Sequence, residues 1–184
     1  MDADGDGMVT WDELFSVRSF YDNGYYQHTI FIDNVNIKRF NEFTLFTNMI
    51  GACVFTGCTA LEELSLPVIK NMILKLDYCP SLRGIVIPEG VEILYFEKLT
   101  ESSSFGFIEL PSSLQELTPS CFHQNPHSIT VVCKAINPPT MAGSFYNYNP
   151  ITIYVPDDSV NAYKQASRWD YLSSRIYPLS EYAG

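Results

Sequence analysis

Twelve residues at the start of the chain carry the side chains best suited to chemistry. Asp2, Asp4 and Asp6 alternate with small residues, Gly7 follows, and the run Asp-Ala-Asp-Gly-Asp-Gly-Met-Val-Thr-Trp-Asp-Glu ends at Glu13. Calcium is held by hard oxygens arriving from several directions, which a short loop supplies from alternate positions around a sharp bend. Asp2, Asp4 and Asp6 offer carboxylates, Met8 its main-chain carbonyl, Thr10 a direct or water-borne oxygen, and Glu13 both carboxylate oxygens, while Gly7 permits the bend. Val9 would pair in the loop's small strand, and Trp11 through Phe20 is expected as the helix leaving it. No entering helix precedes Asp2, so the competing expectation is a reduced loop that binds weakly or stays empty. A structural ion is favoured over a sensor, because a sensor needs a paired loop and a helix that swings.

Elsewhere the residues offer little for catalysis. His123 and His127 bracket Pro126, which discourages the helical spacing that would bring two imidazoles to one metal. The five cysteines, Cys53, Cys58, Cys79, Cys121 and Cys133, are odd in number and contain no CxxC pair. They match neither a complete disulfide framework nor a zinc knuckle and read as small buried apolar residues. Ser102-Ser103-Ser104 is a polar turn with no local base. Glycine-rich phosphate loops, nucleophile elbows and paired carboxylates are absent outside the calcium loop, so no enzymatic activity is expected.

The elements that position these residues come from internal repetition. Cys58-Thr-Ala-Leu61-Glu-Glu-Leu64-Ser-Leu66-Pro67 recurs 21 residues on as Cys79-Pro-Ser-Leu82-Arg-Gly-Ile85-Val-Ile87-Pro88. A longer third copy ends at Phe105-Gly-Phe-Ile108-Glu-Leu110-Pro111, and a degenerate fourth runs from Cys121 to Ile129-Thr-Val131. Alternation at Leu64/Leu66, Ile85/Ile87, Ile108/Leu110 and Ile129/Val131 gives each copy one short strand with a single inward face. One copy cannot bury that face alone. The expected fold is therefore an α/β solenoid of stacked short parallel strands with an irregular opposite side and helical caps at both ends. Cys58 and Cys79 fall one rung apart in its interior.

The caps are legible too. Asn41-Glu42-Phe43 with Leu45 and Phe46 suggests a short capped helix after a strand around Ile30 to Ile32. At the other end, Asn137-Pro138-Pro139 breaks the pattern and Ile151-Thr-Ile153-Tyr-Val155 adds a last strand. Asp157-Asp158-Ser159 reads as a helix N-cap leading into Val160, Ala162, Tyr163 and Ala166, which share one apolar face closed by Trp169. The expected organisation is residues 1–22 as calcium loop and exiting helix, 23–47 as N-terminal cap, 48–133 as about four repeats and 134–184 as C-terminal cap.

The string Phe55-x-Gly-Cys58-x-x-Leu61-x-x-Leu64-x-Leu66-Pro67, with Ile50-Gly51 before it, resembles the BspA-like leucine-rich repeats of bacterial surface proteins. The ending, with Pro138-Pro139, Tyr154-Val-Pro156, Ser159-Val-x-Ala-Tyr163-Lys and Trp169, is similar to the usual terminus of that family. Copies two and three depart from it in lacking Phe-x-Gly before the Cys position. Residues 2–13 resemble an EF-hand loop, and with the exiting helix they resemble half a dockerin repeat without a second copy. The resemblance implies a right-handed leucine-rich-repeat solenoid, an exported or cell-surface location, and adhesion or macromolecular recognition without catalysis.

Charge and composition narrow the partners. A net charge of -10 with 11 Lys plus Arg disfavours nucleic acid and anionic membranes, whose affinity comes from clustered basic side chains. No apolar run reaches the length of a bilayer span, and an export signal, if used, is expected upstream of Met1. A monomer is expected, binding protein or glycan through the outward face of the strands, with Phe107, Glu109 and Tyr154 as anchors and Tyr146 and Tyr148 as a second aromatic group. The alternative is a structural spacer or capping domain of a larger surface protein, with no ligand of its own.

Overall fold

The computed structural model describes residues 20–22, 27–45, 51–119, 128–143 and 150–184. In chain order the strands begin with β1 (Phe20–Asp22), β2 (Gln27–Ile32), β3 (Arg39–Phe40), β4 (Gly51–Thr56), β5 (Glu63–Leu64), β6 (Asn71–Asp77) and β7 (Gly84–Val86). They continue with β8 (Ile93–Lys98), β9 (Phe107–Leu110), β10 (Glu116–Thr118), β11 (Ile129–Cys133), β12 (Thr140–Met141), β13 (Ile151–Val155) and β14 (Ile176–Pro178). From β2 to β13 successive strands alternate between two rows. One row is a sheet in the order β1-β2-β4-β6-β8-β10-β12; the other consists of the pair β3-β5 and the sheet β7-β9-β11-β13-β14. Apart from the antiparallel β1–β2 hairpin, every pairing is parallel.

The expected solenoid of short parallel strands is therefore present, but each turn lays down two strands, and the side expected to be irregular is a second row. The cause is a second set of alternating apolar residues. Cys53 and Phe55, then Met72, Leu74 and Leu76, then Leu94 and Phe96 all point inward and are fully buried or nearly so. Register stacks them by turn: Phe31, Phe55 and Leu76 form one line, Cys53, Leu74 and Phe96 another. On the facing row Ile85, Ile108, Val131, Ile153 and Ile176 form the opposing line. Cys53 lies opposite Leu74 and Leu117 opposite Met141, so one turn spans 21 to 24 residues.

The corner after each first-row strand explains how turns of different sequence keep one shape. Asp33, Gly57, Tyr78 and Glu101 occupy equivalent corners, all left-handed, with φ of 54°, 69°, 53° and 54°. Three of their amides donate forward to the next turn: Asp33 to the Thr56 carbonyl, Gly57 to Asp77 and Tyr78 to Thr100. Gly57 is the corner suited to this conformation, while Tyr78 and Glu101 hold it at the strain a side chain brings there, about 1 kcal/mol. Copies two and three thus keep the turn geometry without the glycine.

Three of the four corners are followed by a buried donor that reaches backward. Cys58 Sγ donates to the Phe31 carbonyl at 3.7 Å, Cys79 Sγ to Phe55 at 3.8 Å, and Ser102 Oγ to Leu76 at 2.6 Å. Ser102 also accepts from the Cys79 amide at 3.2 Å. The serine is thus the third rung of the cysteine ladder, a role its place in a polar triplet concealed.

Both ends are closed by aromatic side chains. At the N-terminal end Phe31 stacks on Phe55 with ring centroids 4.7 Å apart, and Phe40 and Phe43 meet Phe31 edge-on. Phe43 lies in a 3-10 turn, Glu42–Leu45, where a short helix was expected. At the C-terminal end a 3-10 turn, Asp157–Ser159, leads into α1 (Val160–Gln165). Buried Tyr163 and Trp169 pack edge-to-face at 5.0 Å; Tyr163 donates to the Ala135 carbonyl at 2.7 Å and Trp169 Nε1 to Pro139 at 2.9 Å.

Three local expectations are corrected. Ser159 has helical dihedrals and makes no capping bond, because the 3-10 turn already delivers the chain into the helix. The strand Ile151–Val155 is not the last, since β14 pairs beyond it. Phe20, expected to end a helix, opens β1 instead; the rest of that helix and the calcium loop lie outside the described residues.

Substituting Ser102→Ala strands the Leu76 carbonyl and the Cys79 amide in the interior and should cost about 2–4 kcal/mol in urea unfolding. Ser102→Cys restores a donor at the rung and should recover most of that loss. Equal destabilisation by Ala and Cys would show that the ladder does not hold the turns.

Candidate functional site

The two outward faces differ in character. On the first row the side chains pair with one another between turns: Lys75 meets Glu97 at 2.8 Å, Tyr95 donates to Glu116 at 3.5 Å, and Lys98 lies 3.6 Å from Asp77. Such exposed pairs contribute little to stability but leave the face solvated and self-satisfied.

On the second row, outward residues align by register into two rows. One runs Gly84, Phe107, Thr130, Thr152; the other runs Val86, Glu109, Val132, Tyr154, Tyr177. Three of the expected anchors therefore share one face. Glu109 is held by Lys134 at 2.6 Å. Phe107 and Tyr154 are bridged by Tyr182, whose ring lies 6.3 Å from the first and 5.1 Å from the second. Tyr177 extends the group, 6.0 Å from Tyr154. Val132 points outward among these rings yet is only 2% exposed.

The terminal segment that carries Tyr182 is fastened from below. The Ser180 amide donates to Asp157 Oδ1 at 3.0 Å, and the Tyr182 amide closes the 3-10 turn Leu179–Glu181 by donating to the Leu179 carbonyl. Hydrogen bonds from Ser180 lower the Asp157 pKa below its ordinary carboxylate value.

The other half of this face is open. A groove of about 1030 Å³ lies over β5, β7 and the start of β9, lined by the exposed Val86 with Pro88 and Phe107 and bordered by the buried, inward-facing Leu64, Leu66 and Ile85. Its rim is polar, with Asn41, Glu62, Glu63, Ser81, Arg83 and Ser104. Phe107 leans on Gly84 so closely that a Cβ there would lie 2.7 Å from Phe107 Cβ. The groove-lining residues Arg83, Ser81 and Pro88 carried no sequence signal, since their types are ordinary for turns. Tyr177 did carry one: Ile176-Tyr177-Pro178 repeats Ile153-Tyr154-Val155 after 23 residues.

Asp2, Asp4, Asp6, Met8, Thr10 and Glu13 lie outside the described residues, as do Tyr146, Tyr148, His123, His127 and Cys121. Among the described residues no group of three His, Cys, Asp or Glu side chains is placed to hold a metal ion. Cys53, Cys58, Cys79 and Cys133 are free and buried. Burial pushes the Cys53 thiol up to about 12 and raises Cys133; hydrogen bonding to Cys58, then burial, raises Cys79. These three thiols are poor nucleophiles, while the hydrogen bond with Cys79 lowers Cys58.

The coiled two-row architecture agrees with what comparison with known families finds. The model of the BspA type leucine-rich repeat region, in six copies, matches residues 26–137 and again 74–167. The chain belongs to the BspA-type leucine-rich repeat family. A comparison with curated proteins finds no match. BspA-type repeats are non-catalytic modules in general, and their turns run here from β2 to β14, with Phe31 and Trp169 sealing the ends. No described helix is long and apolar enough to cross a membrane.

The fastening of the terminal segment of this BspA-type chain should depend on pH. Because Asp157 is depressed in the folded state, its contribution is complete above the ordinary carboxylate pKa and is lost as pH falls through the lowered value. In NMR the Ser180 amide proton is expected to titrate with a midpoint below 3.8, and Asp157→Asn should abolish that titration. A midpoint at or above 3.8 would contradict the contact.

Proposed function

We propose that this chain is a non-catalytic recognition module of a secreted or cell-surface protein, taking protein or glycan ligands on the second-row face. The observation that carries the reading is the contrast between faces. The first row is covered by side chains paired between turns, whereas the second row presents, beside its own ion pairs, a groove lined by Val86, Pro88 and Phe107 that adjoins a row of tyrosines. Concave apolar surfaces with a few polar groups at the rim are what ligands of both classes use, and half-buried aromatic rings supply contact area at small entropic cost. Its family supports the reading, since leucine-rich repeats serve as interaction surfaces.

Binding of the full chain to arrays of extracellular proteins and glycans tests this. Val86→Arg, which puts a charge in the groove, should weaken a groove ligand at least tenfold, about 1.4 kcal/mol. Tyr154→Ala should do the same for a ligand of the aromatic row. Absence of any ligand on both arrays would favour the spacer reading instead.

The acidic loop at residues 2–13 is proposed to hold a structural calcium ion through Asp2, Asp4, Asp6, Met8, Thr10 and Glu13, on the strength of its complete ligand spacing. Calorimetric titration with calcium should show saturable binding and a higher melting temperature, both lost in the Asp4→Ala, Asp6→Ala double variant. Identical melts with calcium and with chelator would remove calcium from the account.

A further inference from the structure

The aromatic residues of the second-row face form a line with one ring per strand. Phe107 belongs to β9, Tyr154 to β13 and Tyr177 to β14. Between β9 and β13 lies β11, whose outward residues are Thr130 and Val132, so that strand supplies no ring of its own. Tyr182 fills the place from outside the sheet. Its ring lies 6.3 Å from Phe107 and 5.1 Å from Tyr154, and the outward-facing Val132 is only 2% exposed. Tyr177 continues the line 6.0 Å beyond Tyr154. Four neighbouring strands of the row, β9, β11, β13 and β14, are thus overlaid by four rings.

The rings do not spend their faces on one another. Face-to-face contact brings carbon atoms to about 3.5–4.0 Å, whereas Phe107 and Tyr182, nearly parallel at 16°, have centroids 6.3 Å apart. Tyr182 is tilted 49° to Tyr154, and Tyr154 is tilted 40° to Tyr177. Each ring therefore keeps part of a face uncovered: Tyr177 is 39% exposed, and the other three are half-buried.

The strip is electrically neutral in a chain whose net charge is -10. Among the outward residues of these four strands only Glu109 is charged, and Lys134 neutralises it at 2.6 Å. Thr130 and Thr152 place hydroxyls on one side of the line, and the Glu109–Lys134 pair lies on the other. Rigid apolar ring faces flanked by hydrogen-bonding groups complement a pyranose sugar, which carries C–H faces and a girdle of hydroxyls. Parallel strands stand about 4.8 Å apart, comparable to the length that one pyranose unit adds to an extended glycan. Equatorial β-linkages keep such a chain straight enough to follow a line of rings, whereas α-linked chains coil away from it.

We propose that the line Phe107, Tyr182, Tyr154, Tyr177 is a stacking platform for an uncharged, linear, β-linked glycan chain that runs across the strands. This deepens the recognition reading and rests on it. Successive sugar units lay their C–H faces on successive rings, while their hydroxyls reach Thr130 and Thr152 on one flank and Glu109 and Lys134 on the other.

The test titrates the full chain with cello-, xylo-, manno- and chito-oligosaccharides of increasing length, from the disaccharide to the hexasaccharide. At least one series is expected to bind, with affinity that rises at least tenfold from the disaccharide to the tetrasaccharide, levels off beyond it and does not change as salt is raised. Tyr182→Ala removes an inner ring of the line and should cost at least tenfold for the tetrasaccharide; Tyr182→Phe, which keeps the ring, should recover most of that loss. Tyr177→Ala alters an exposed position that leaves the core untouched, and should shorten by about one unit the length at which affinity levels off. A melting curve checks that each variant folds. Absence of binding in all four series, affinity that falls with salt, or equal binding by the parent chain and both alanine variants would each overturn the proposal. If array proteins bind and Val86→Arg or Tyr154→Ala weakens them while the oligosaccharides do not bind, recognition by this face stands and the glycan platform alone falls. If neither oligosaccharides nor array ligands bind, both readings fall together.

Discussion

No turn of this chain can cover itself. Each leaves two lines of apolar side chains and a ring of main-chain amides and carbonyls that only the turns before and after it can satisfy, which is the physical basis of a repeat solenoid. The turn length, the left-handed corners and the buried donors all serve that constraint. Asp33, Gly57 and Tyr78 bond forward into the next turn while Cys58, Cys79 and Ser102 bond back into the previous one, so the corners at Gly57–Cys58 and Tyr78–Cys79 are tied in both directions. The aromatic clusters of the first and last described turns meet the same requirement. Phe40 and Phe43 at one end, Tyr163 and Trp169 at the other, supply large apolar faces in place of a further rung.

Much of this was legible in the sequence, and the reasons for what was not are specific. Repetition of Cys, Leu, Leu and Pro revealed one row, because Leu64/Leu66 and Ile85/Ile87 keep residue type as well as spacing. The first row stayed hidden because its inward residues preserve only apolar character: Phe31, Phe55 and Leu76 share a line but not an identity. Ser102 was missed for a related reason. What its position requires is a buried donor, and a hydroxyl meets that requirement as well as a thiol does. The corners show the reverse case, where Tyr78 and Glu101 adopt the conformation of Gly57 because the bonds around them over-determine it.

The candidate site was legible in its residue types and not in its shape. Phe107, Glu109 and Tyr154 do share a face, since period-two alternation fixes which side of a strand each residue takes. That Tyr182 would lie between two of them depends on a chain reversal after β14, which no local pattern encodes. The break between the β3–β5 ladder and the ladder that starts at β7 is a main-chain feature and was beyond any reading of side chains. The acidic loop is the opposite extreme, with complete spacing in the sequence and a position outside the described residues.

Mechanically, the coil is a series of links, and its links are not equally stiff. Between β3 and β5, or β7 and β9, a bending load is shared by hydrogen-bonded ladders on both rows; between β5 and β7 one ladder, β4–β6, carries it with the corner bonds of Gly57 and Cys79 and the Ser81 bond to Thr59. Links in series yield where compliance is greatest. Flexing of the molecule therefore concentrates at that junction, with the β4–β6 ladder as the spine of a book whose covers are the N-terminal turns on one side and the rest of the coil on the other.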